Sequence, residues 1–388
     1  MTATQVIDVP NCPHEHNGVP MKILFLSHTY WESLYRVGSH HLASSLANAG
    51  HTILYISTSV SLLHYLKYTA IKQRMQLAGK LTRVNDNLHT YIPRTLIPCG
   101  LLVHENFDWA FPLGDEMRRL CEQLSIDEFD LVLVDDPKLM GLLRHVRYKK
   151  LVYRPTDIYS QMGLKNWRLL ESNLLRQCDA VVATSGPVLK FINEAFDNRK
   201  PGLVLVNGVD YDLFSHIQAP PPEYVDNGRK RCVYVGILDF RFDFDLLHQL
   251  ATARPDVDFF VIGLGEATAL TRFNAMSNVF VLGARPYAKV PAYLQHADVG
   301  LLPLCAIKAN MGRSPMKLYE YLASGIPVVA LCTDEIKRRN IPRVFCYQNQ
   351  EDVLNVFDTA LSEPKQSYFE AELAWSTISK NILNFVAQ

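Results

Sequence analysis

Short apolar runs alternate with amphipathic helices along this chain, in one series and then again after a proline-rich break. The first run, Met21-Lys-Ile-Leu-Phe-Leu26, reads as a strand buried on both faces. Arg36 to Ala49 follows as a helix with Val37, His41, Leu42, Leu46 and Ala49 on one face, and Gly50 takes the C-cap position. Thr52-Ile-Leu-Tyr-Ile-Ser57 is a second strand, which makes a βαβ unit. Right-handed crossovers turn such a unit into the start of a doubly wound sheet. Strands at Leu131–Val134, Leu151–Tyr153, Ala180–Thr184 and Leu203–Val206 continue the series, with helices at Leu164–Gln177 and Pro187–Glu194.

The pattern breaks from Asn207 to Gly228 around Pro220-Pro221-Pro222, a hinge signature. It resumes with strands at Arg231–Val235, Asp258–Ile262, Val279–Leu282, Val299–Leu302, Pro327–Ala330 and Val344–Cys346. The expected fold is therefore α/β, with two Rossmann-like doubly wound domains facing a cleft. A flexible leader (1–20) precedes an N-terminal Rossmann-like domain (21–207), a linker (208–228) and a C-terminal Rossmann-like domain (229–367). A closing helix within 368–388 is expected to pack across the junction. The chain's 388 residues suit two such domains.

A net charge of zero, with 39 Lys/Arg against 39 Asp/Glu, argues against a nucleic-acid partner. The eight cysteines form no CxxC pair and read as free thiols of a reducing cytosol. Cys12, His14 and His16 could ligate a metal, but their polar, proline-bearing surroundings read as a tail. No apolar run approaches the ~18–20 residues of a membrane span. The leader lacks the pattern of a secretory signal.

Open α/β sheets bind ligands beyond the carboxyl ends of their strands. Three segments there carry chemistry. In Arg313-Ser-Pro-Met-Lys-Leu-Tyr-Glu320, Ser314 is an expected N-cap, and the helix start offers amides and a positive dipole end to a diphosphate. Lys317 and Glu320 are neighbours on one helical face, suited to phosphate and ribose; the spacing alone also fits an ordinary surface pair. Gly263 and Gly265 follow a strand, and Gly236 and Leu238 follow another, allowing close approach of backbone to ligand. Thr268 breaks the GxGxxG fingerprint, which disfavours a dinucleotide site. Asp157, just past Leu151-Val-Tyr-Arg154, is a candidate general base or an Asx-turn residue. Asp135 and Asp136 are a competing acidic pair that reads as a solvated turn.

The phrases "LVYRPTD" at 151–157, "VIGLG" at 261–265, "HADVGLLP" at 296–303 and "SPMKL" at 314–318 resemble those of GT-B fold glycosyltransferases over about 21–386. The combination looks most like the xanthan-type glucuronosyltransferases and group-1 glycosyltransferases. The resemblance implies that Asp157 is the catalytic base, that Met316 and Lys317 hold the donor diphosphate, and that Glu320 takes the ribose. Gly312 stands where retaining relatives carry a glutamate, and "GILDFRFD" offers only Arg241 where they carry Arg and Lys. An inverting, metal-independent transfer without cofactor is therefore expected. Ala284-Arg285 replaces the relatives' Glu-Met, which makes Arg285 a candidate phosphate or uronate contact or a solvated loop residue.

Residues 60–83 mix Leu, Tyr, Ile and Met with five Lys/Arg and no acid, which reads as a basic amphipathic helix at a membrane surface or one packed on its own domain. Tyr65, Lys67, Tyr68, Lys72 and Arg74 are the expected acceptor or membrane face. The expected partners are a UDP-sugar donor and a lipid-linked saccharide acceptor of polysaccharide biosynthesis, with the protein peripheral on the inner face of the plasma membrane. A non-catalytic sugar-nucleotide-binding scaffold and a sugar-nucleotide epimerase are the alternatives on the same fold.

Overall fold

A computed structural model describes residues 19–67, 72–99, 113–162 and 166–388. The leader thiol and imidazoles, Cys12, His14 and His16, lie outside the described residues. The chain divides into two compact units. The first takes in residues up to Ser33, Val37–Val206 and Trp375–Gln388; the second takes in Leu34–Arg36 and Asn207–Ala374.

The strands of the first unit are β1 (Lys22–Ser27), β2 (Thr52–Ser57), β3 (Val60–Ser61), β4 (Thr82–Arg83), β5 (Leu88–Tyr91), β6 (Arg94–Thr95), β7 (Phe129–Val134), β8 (Tyr148–Tyr153), β9 (Ala180–Ala183) and β10 (Gly202–Val204). Eight form one sheet in the order β10-β9-β8-β7-β1-β2-β5-β4, and β3 pairs with β6. Only β4 with β5 is antiparallel among these pairs. Ile23 to Leu26 and Ile53 to Ile56 are fully buried, as continuous apolar runs in a helix-covered parallel sheet require. Sequence order reverses between β1 and β7, so the switch point lies beyond Ser27 and Val134.

The closing helix, Trp375–Ala387, counts with this first unit and packs on the helix Gly38–Asn48. The Trp375 indole stacks on His41 with ring centroids 5.2 Å apart, and the hydroxyls of Ser45 and Ser379 lie 2.9 Å apart. The anchoring residues belong to one unit, so the helix expected to pack across the junction is part of the first core.

The second unit contains β11 (Lys230–Val235), β12 (Val257–Ile262), β13 (Val279–Gly283), β14 (Val299–Leu302), β15 (Val328–Leu331) and β16 (Val344–Tyr347). They form one parallel sheet in the order β13-β12-β11-β14-β15-β16, with its switch point between β11 and β14. The stretch 208–228, expected as a linker, is packed structure of this unit. Phe214, in the short helix Tyr211–Ser215, is fully buried, and the Gln295 amide donates to the carbonyls of Phe214 and His216 at 2.8 and 2.7 Å. The Tyr224 ring lies 4.2 Å from that of Phe260, and its hydroxyl donates to the Tyr293 carbonyl at 3.0 Å.

Residues 60–83 do not form one helix. β3 is followed by the helix Leu62–Lys67, and Lys72–Leu77 is a separate helix ending before β4. The Arg74 guanidinium turns inward, bonding the Thr58 carbonyl and hydroxyl and lying 5.5 Å over the Tyr30 ring. Arg74 is therefore a structural arginine that ties this helix to the end of β2. Tyr68, and the side chains of Tyr65, Lys67 and Lys72, lie outside what the structure describes.

Under β8, on the helix Trp167–Gln177, Glu171 is fully buried. Its Oε1 accepts from the Tyr153 hydroxyl at 2.7 Å, and burial pushes its carboxyl up to about 7. The folded chain therefore holds this proton more tightly than the unfolded chain does. The associated stability is present below the ordinary glutamate range near ~4.3 and is lost as pH rises through about 7. A Glu171→Gln chain should unfold at a higher temperature than the wild type at pH 8, with the gap closing by pH 5. A gap independent of pH in thermal unfolding would contradict the burial of this proton.

Candidate functional site

The second unit concentrates charge at its switch point. Beyond β11 and β12 the chain stays paired: Gly236 N–H donates to the Ile262 carbonyl at 2.8 Å, and Leu238 N–H donates to that of Leu264 at 2.9 Å. Leu238 and Gly265 form a parallel bridge. Such close backbone contact excludes side chains. A Cβ on Gly263 would sit 1.6 Å from the Gly236 carbonyl oxygen, and Gly263 has φ +156°. A Cβ on Gly236 would sit 2.4 Å from Lys317 Cε, 2.8 Å from its Nζ and 2.6 Å from the Tyr234 hydroxyl. The Lys317 side chain thus lies directly on the bare backbone of Gly236.

Lys317 belongs to the helix Met316–Ala323, and among the described residues no side chain caps its start. Ser314 is not the N-cap. Pro315 occupies that place, while the Ser314 hydroxyl lies 3.2 Å from that of Tyr319 and its carbonyl accepts from the Asn207 amide at 2.9 Å. Met316, the first helical residue, is half-buried, and Gly325 closes the helix with φ +89°.

Burial pushes the Lys317 ammonium below the ordinary lysine range, and the nearby guanidinium groups of Arg313 and Arg241 push the same way. Glu320 and Asp239 act against them. Arg241 is paired with Asp239, its Nε donating to both carboxylate oxygens at 2.9 and 3.0 Å. The Asn310 amide donates to the Arg241 carbonyl at 3.1 Å and to that of Cys305 at 2.9 Å, fixing this loop. Glu320 is buried, and burial raises its carboxyl although Lys317 pulls it down. The Tyr287 hydroxyl donates to Glu320 Oε1 at 3.0 Å. Three cations and two carboxylates converge here, an arrangement that favours a bound anion. Arg241, Arg313 and Tyr287 were given no site role from sequence. Arg241 and Tyr287 come from the connections after β11 and β13, while Arg313 stands just before the Lys317 helix in the connection after β14.

Arg285 is engaged elsewhere. Its guanidinium donates to Glu223 at 2.7 Å and to the Tyr293 hydroxyl at 2.9 Å, holding the 208–228 stretch to the loop after β13. The residues that bind it are 62 and 8 positions away, so sequence reads it as a loose loop arginine.

Three Asp-x-Asp triplets occur, at 210–212, 243–245 and 256–258. Asp210 and Asp243 cap helices, Asp245 pairs with Arg272, Asp256 with Arg254, and Asp258 with Arg229 and Asn227. Among the described residues there is no cluster of three or more His, Cys, Asp or Glu side chains that could hold a metal.

In the first unit Asp157 follows β8 on a loop anchored to β7 and β9. Arg154 N–H donates to the Val134 carbonyl at 2.8 Å, and the Thr184 hydroxyl donates to the Thr156 carbonyl at 2.9 Å. Asp157 is half-buried, and its Oδ2 accepts from the Thr156 hydroxyl at 3.4 Å. Asp135 and Asp136 are not a solvated turn; both are fully buried. Arg154, buried itself, donates to Asp135 Oδ2 at 3.0 Å, and Asp136 caps the 3-10 turn Pro137–His145 by accepting from Lys138 N–H. Burial still raises the Asp135 carboxyl, with Arg154 and then His28 opposing. Breaking such a pair costs about 3–5 kcal/mol, so its first role is structural.

Residues 25–184 match the family described as Glucuronosyltransferase GumK, N-terminal domain. Residues 229–353 match Glycosyl transferases group 1. TuaH of Bacillus subtilis, assigned to teichuronic acid biosynthesis as a glycosyltransferase, is 25% identical over 198 residues, which is 50% of each chain. The chain thus aligns with about half the length of that curated relative. Among solved structures, sucrose-phosphate synthase from Thermosynechococcus elongatus superposes with a TM-score of 0.64 at 12% identity, covering 94% of both chains. HepE from Anabaena, in complex with UDP and glucose, superposes with a TM-score of 0.59 at 16% identity, covering 94% of this chain and 95% of that one. The fold is GT-B.

The packing of Lys317 on Gly236 gives a direct prediction. Gly236→Ala should move the ammonium off its seat, because the new Cβ would meet Lys317 Cε and Nζ at 2.4 and 2.8 Å, and a wild-type unfolding temperature would show that the buried Tyr234, whose hydroxyl it would meet at 2.6 Å, has kept its place. Affinity for a nucleoside diphosphate, read by titration calorimetry with UDP, should fall about tenfold or more. Unchanged affinity would mean that Lys317 does not reach the ligand from this position.

Proposed function

We propose that this chain, which matches a GumK-type N-terminal domain over 25–184 and a group-1 domain over 229–353, is a glycosyltransferase of group 1 that uses nucleotide sugars, and that it carries out an inverting transfer from a UDP-linked sugar to a lipid-linked saccharide acceptor. The observation that carries the proposal is the seat of Lys317 on bare Gly236 backbone at the switch point, beside a helix start without a side-chain cap. Lys317 and the first-turn amides take the charge of the departing diphosphate, and Glu320, held by Tyr287, accepts from ribose hydroxyls. Asp157 removes the proton of the acceptor hydroxyl as its oxygen attacks the anomeric carbon. The new glycosidic bond forms as the bond to phosphate breaks, and its electron pair leaves with the nucleoside diphosphate. With fixed cations stabilising the leaving group, the transfer proceeds without a metal.

UDP as the nucleotide draws support from HepE, solved with UDP and glucose, and polysaccharide assembly from TuaH, assigned to teichuronic acid biosynthesis. A membrane-associated acceptor draws support from the first unit's surface. β3 and β6 pair Val60 with Arg94 and Ser61 with Thr95, and Leu62, Leu63 and Leu96 directly follow these strands. The three leucines are 58%, 44% and 67% exposed, and residues 60–83 also carry Lys67, Lys72 and Lys80 besides the inward Arg74 and the Asp86-paired Arg83. Apolar side chains beside basic ones suit the surface of an anionic membrane. Among the described residues no helix is long and apolar enough to cross a membrane, so the contact we propose is peripheral, on the inner face of the plasma membrane.

Asp157→Asn should lower turnover by ~10²–10⁴-fold while UDP affinity stays at the wild-type value. Lys317→Ala should weaken UDP binding and turnover together. Near-normal turnover in Asp157→Asn would sink the base assignment. For the membrane, the chain should float with phosphatidylglycerol vesicles at low salt, and a Leu62→Asp, Leu63→Asp double variant should not. Failure of the wild type to float would remove the membrane from the proposal.

A further inference from the structure

Asp157 does not stand alone in its loop. Two residues further on, the Tyr159 hydroxyl lies 2.7 Å from the Thr156 hydroxyl and donates to the Asp135 carbonyl at 3.0 Å. The Tyr159 ring is buried and stacked on Trp167, with ring centroids 4.3 Å apart, and the Lys138 ammonium lies 5.3 Å from the same indole. Asp135 is itself fixed by Arg154 at 3.0 Å. The tyrosine oxygen is thus immobilised from three sides.

A count of hydrogens shows what this does. A tyrosine hydroxyl has one hydrogen, and here it goes to the Asp135 carbonyl, which can only accept. Thr156 likewise has one hydrogen and two acceptors within reach, Tyr159 Oη at 2.7 Å and Asp157 Oδ2 at 3.4 Å. It can serve only one at a time. An ionised carboxylate is the stronger acceptor; once protonated it loses that advantage, and the hydrogen returns to Tyr159.

We infer that Thr156 and Tyr159 are positioning residues for the Asp157 carboxylate, forming a hydroxyl switch that holds it when ionised and releases it when it takes the acceptor's proton. The inference rests on Asp157 being the base. The carboxylate gives up one hydrogen bond as it becomes protonated, and the threonine hydrogen regains another on the tyrosine oxygen, so that hydrogen keeps a partner throughout the transfer. The charged and titratable groups around this loop are Asp135 and Asp136 beyond β7, Arg154 at the end of β8, His28 beyond β1, Lys138 on the 3-10 turn and Tyr159 itself. None of these bonds the Thr156 hydroxyl apart from Tyr159, among the contacts described.

The two variants of the switch move the pH profile in opposite directions, which loss of structure alone would not do. Thr156→Val removes the donor to the ionised carboxylate. The acidic limb of kcat should move to higher pH, and kcat should fall roughly tenfold at neutral pH with the KM for donor unchanged. Tyr159→Phe keeps the ring on Trp167 but removes the competing acceptor, so Thr156 donates to Asp157 throughout. The acidic limb should then move to lower pH, with a smaller loss in kcat. Thr156→Ser should restore the wild-type profile. The assay is UDP release by the full chain from UDP-glucose and UDP-glucuronate, with an alkyl glycoside or water as acceptor. The same displacement can be followed without turnover, by ¹³C NMR titration of the aspartate carboxyls, with Asp157→Asn identifying the signal. Shifts of the same sign in both variants, or a wild-type profile in Thr156→Val, would overturn the switch. Normal turnover in Asp157→Asn would instead overturn the base reading on which it rests.

Discussion

The second unit depends on one close approach, that of the Lys317 side chain to the Gly236 backbone. It requires two glycines for different reasons. Gly236 has no Cβ because Lys317 Cε and Nζ occupy the space, and Gly263 has none because the Gly236 carbonyl lies where its Cβ would be. The second contact holds the loops after β11 and β12 together, and the first uses the surface so formed as a seat for an ammonium. Either site filled by a methyl group separates loop from loop or lysine from loop. The site is therefore a property of backbone spacing before it is a property of charge.

Charge then acts on that spacing. Burial is the first cost to the Lys317 ammonium; Arg313 and Arg241 add repulsion, and Glu320 and Asp239 oppose it. The depressed lysine and the raised Glu320 express the same cost from its two sides. A diphosphate bound as proposed would favour the charged Lys317 ammonium again, while its like charge would push the Glu320 carboxyl further up. The first unit solves the opposite problem. Its buried acids are matched one by one: Asp135 by Arg154, Asp136 by Lys138 and a backbone amide, and Glu171 by Tyr153 and a retained proton. What remains half-exposed there is Asp157.

Much of the fold was legible because its signals are local. Apolar runs such as Ile23–Leu26 become buried parallel strands, and Gly325 ends its helix with positive φ, as sequence alone indicates. Of the site, the lysine, the glutamate and the strand-end glycines are legible through motif and resemblance. Readings that failed share one cause: a distant partner changes the meaning of a local pattern. Pro220-Pro221-Pro222 reads as a linker, yet Phe214 and Tyr224 on either side are anchored by Gln295 and Phe260. Asp135-Asp136 reads as solvated until Arg154 arrives from the next strand, 19 residues later. The 60–83 segment reads as one amphipathic helix until β3 and β4 find β6 and β5 and interrupt it at both ends. Ser314 reads as an N-cap, but Asn207 and Tyr319 claim its polar atoms.

The same reasoning separates what a relative can transmit from what it cannot. The approach of Gly263 to Gly236 follows from backbone pairing that continues beyond β11 and β12, and it belongs to the sheet. The neighbours of the charged groups are supplied by loops: Tyr287 beside Glu320, Arg241 and Arg313 near Lys317, Thr156 and Tyr159 around Asp157. Loops vary without disturbing the core. Two chains with the same strand order can thus share the same backbone seat while differing in the groups around it. In this chain the neighbours of Asp157 carry two hydroxyl hydrogens, one committed to the Asp135 carbonyl and the other within reach of both Tyr159 and Asp157.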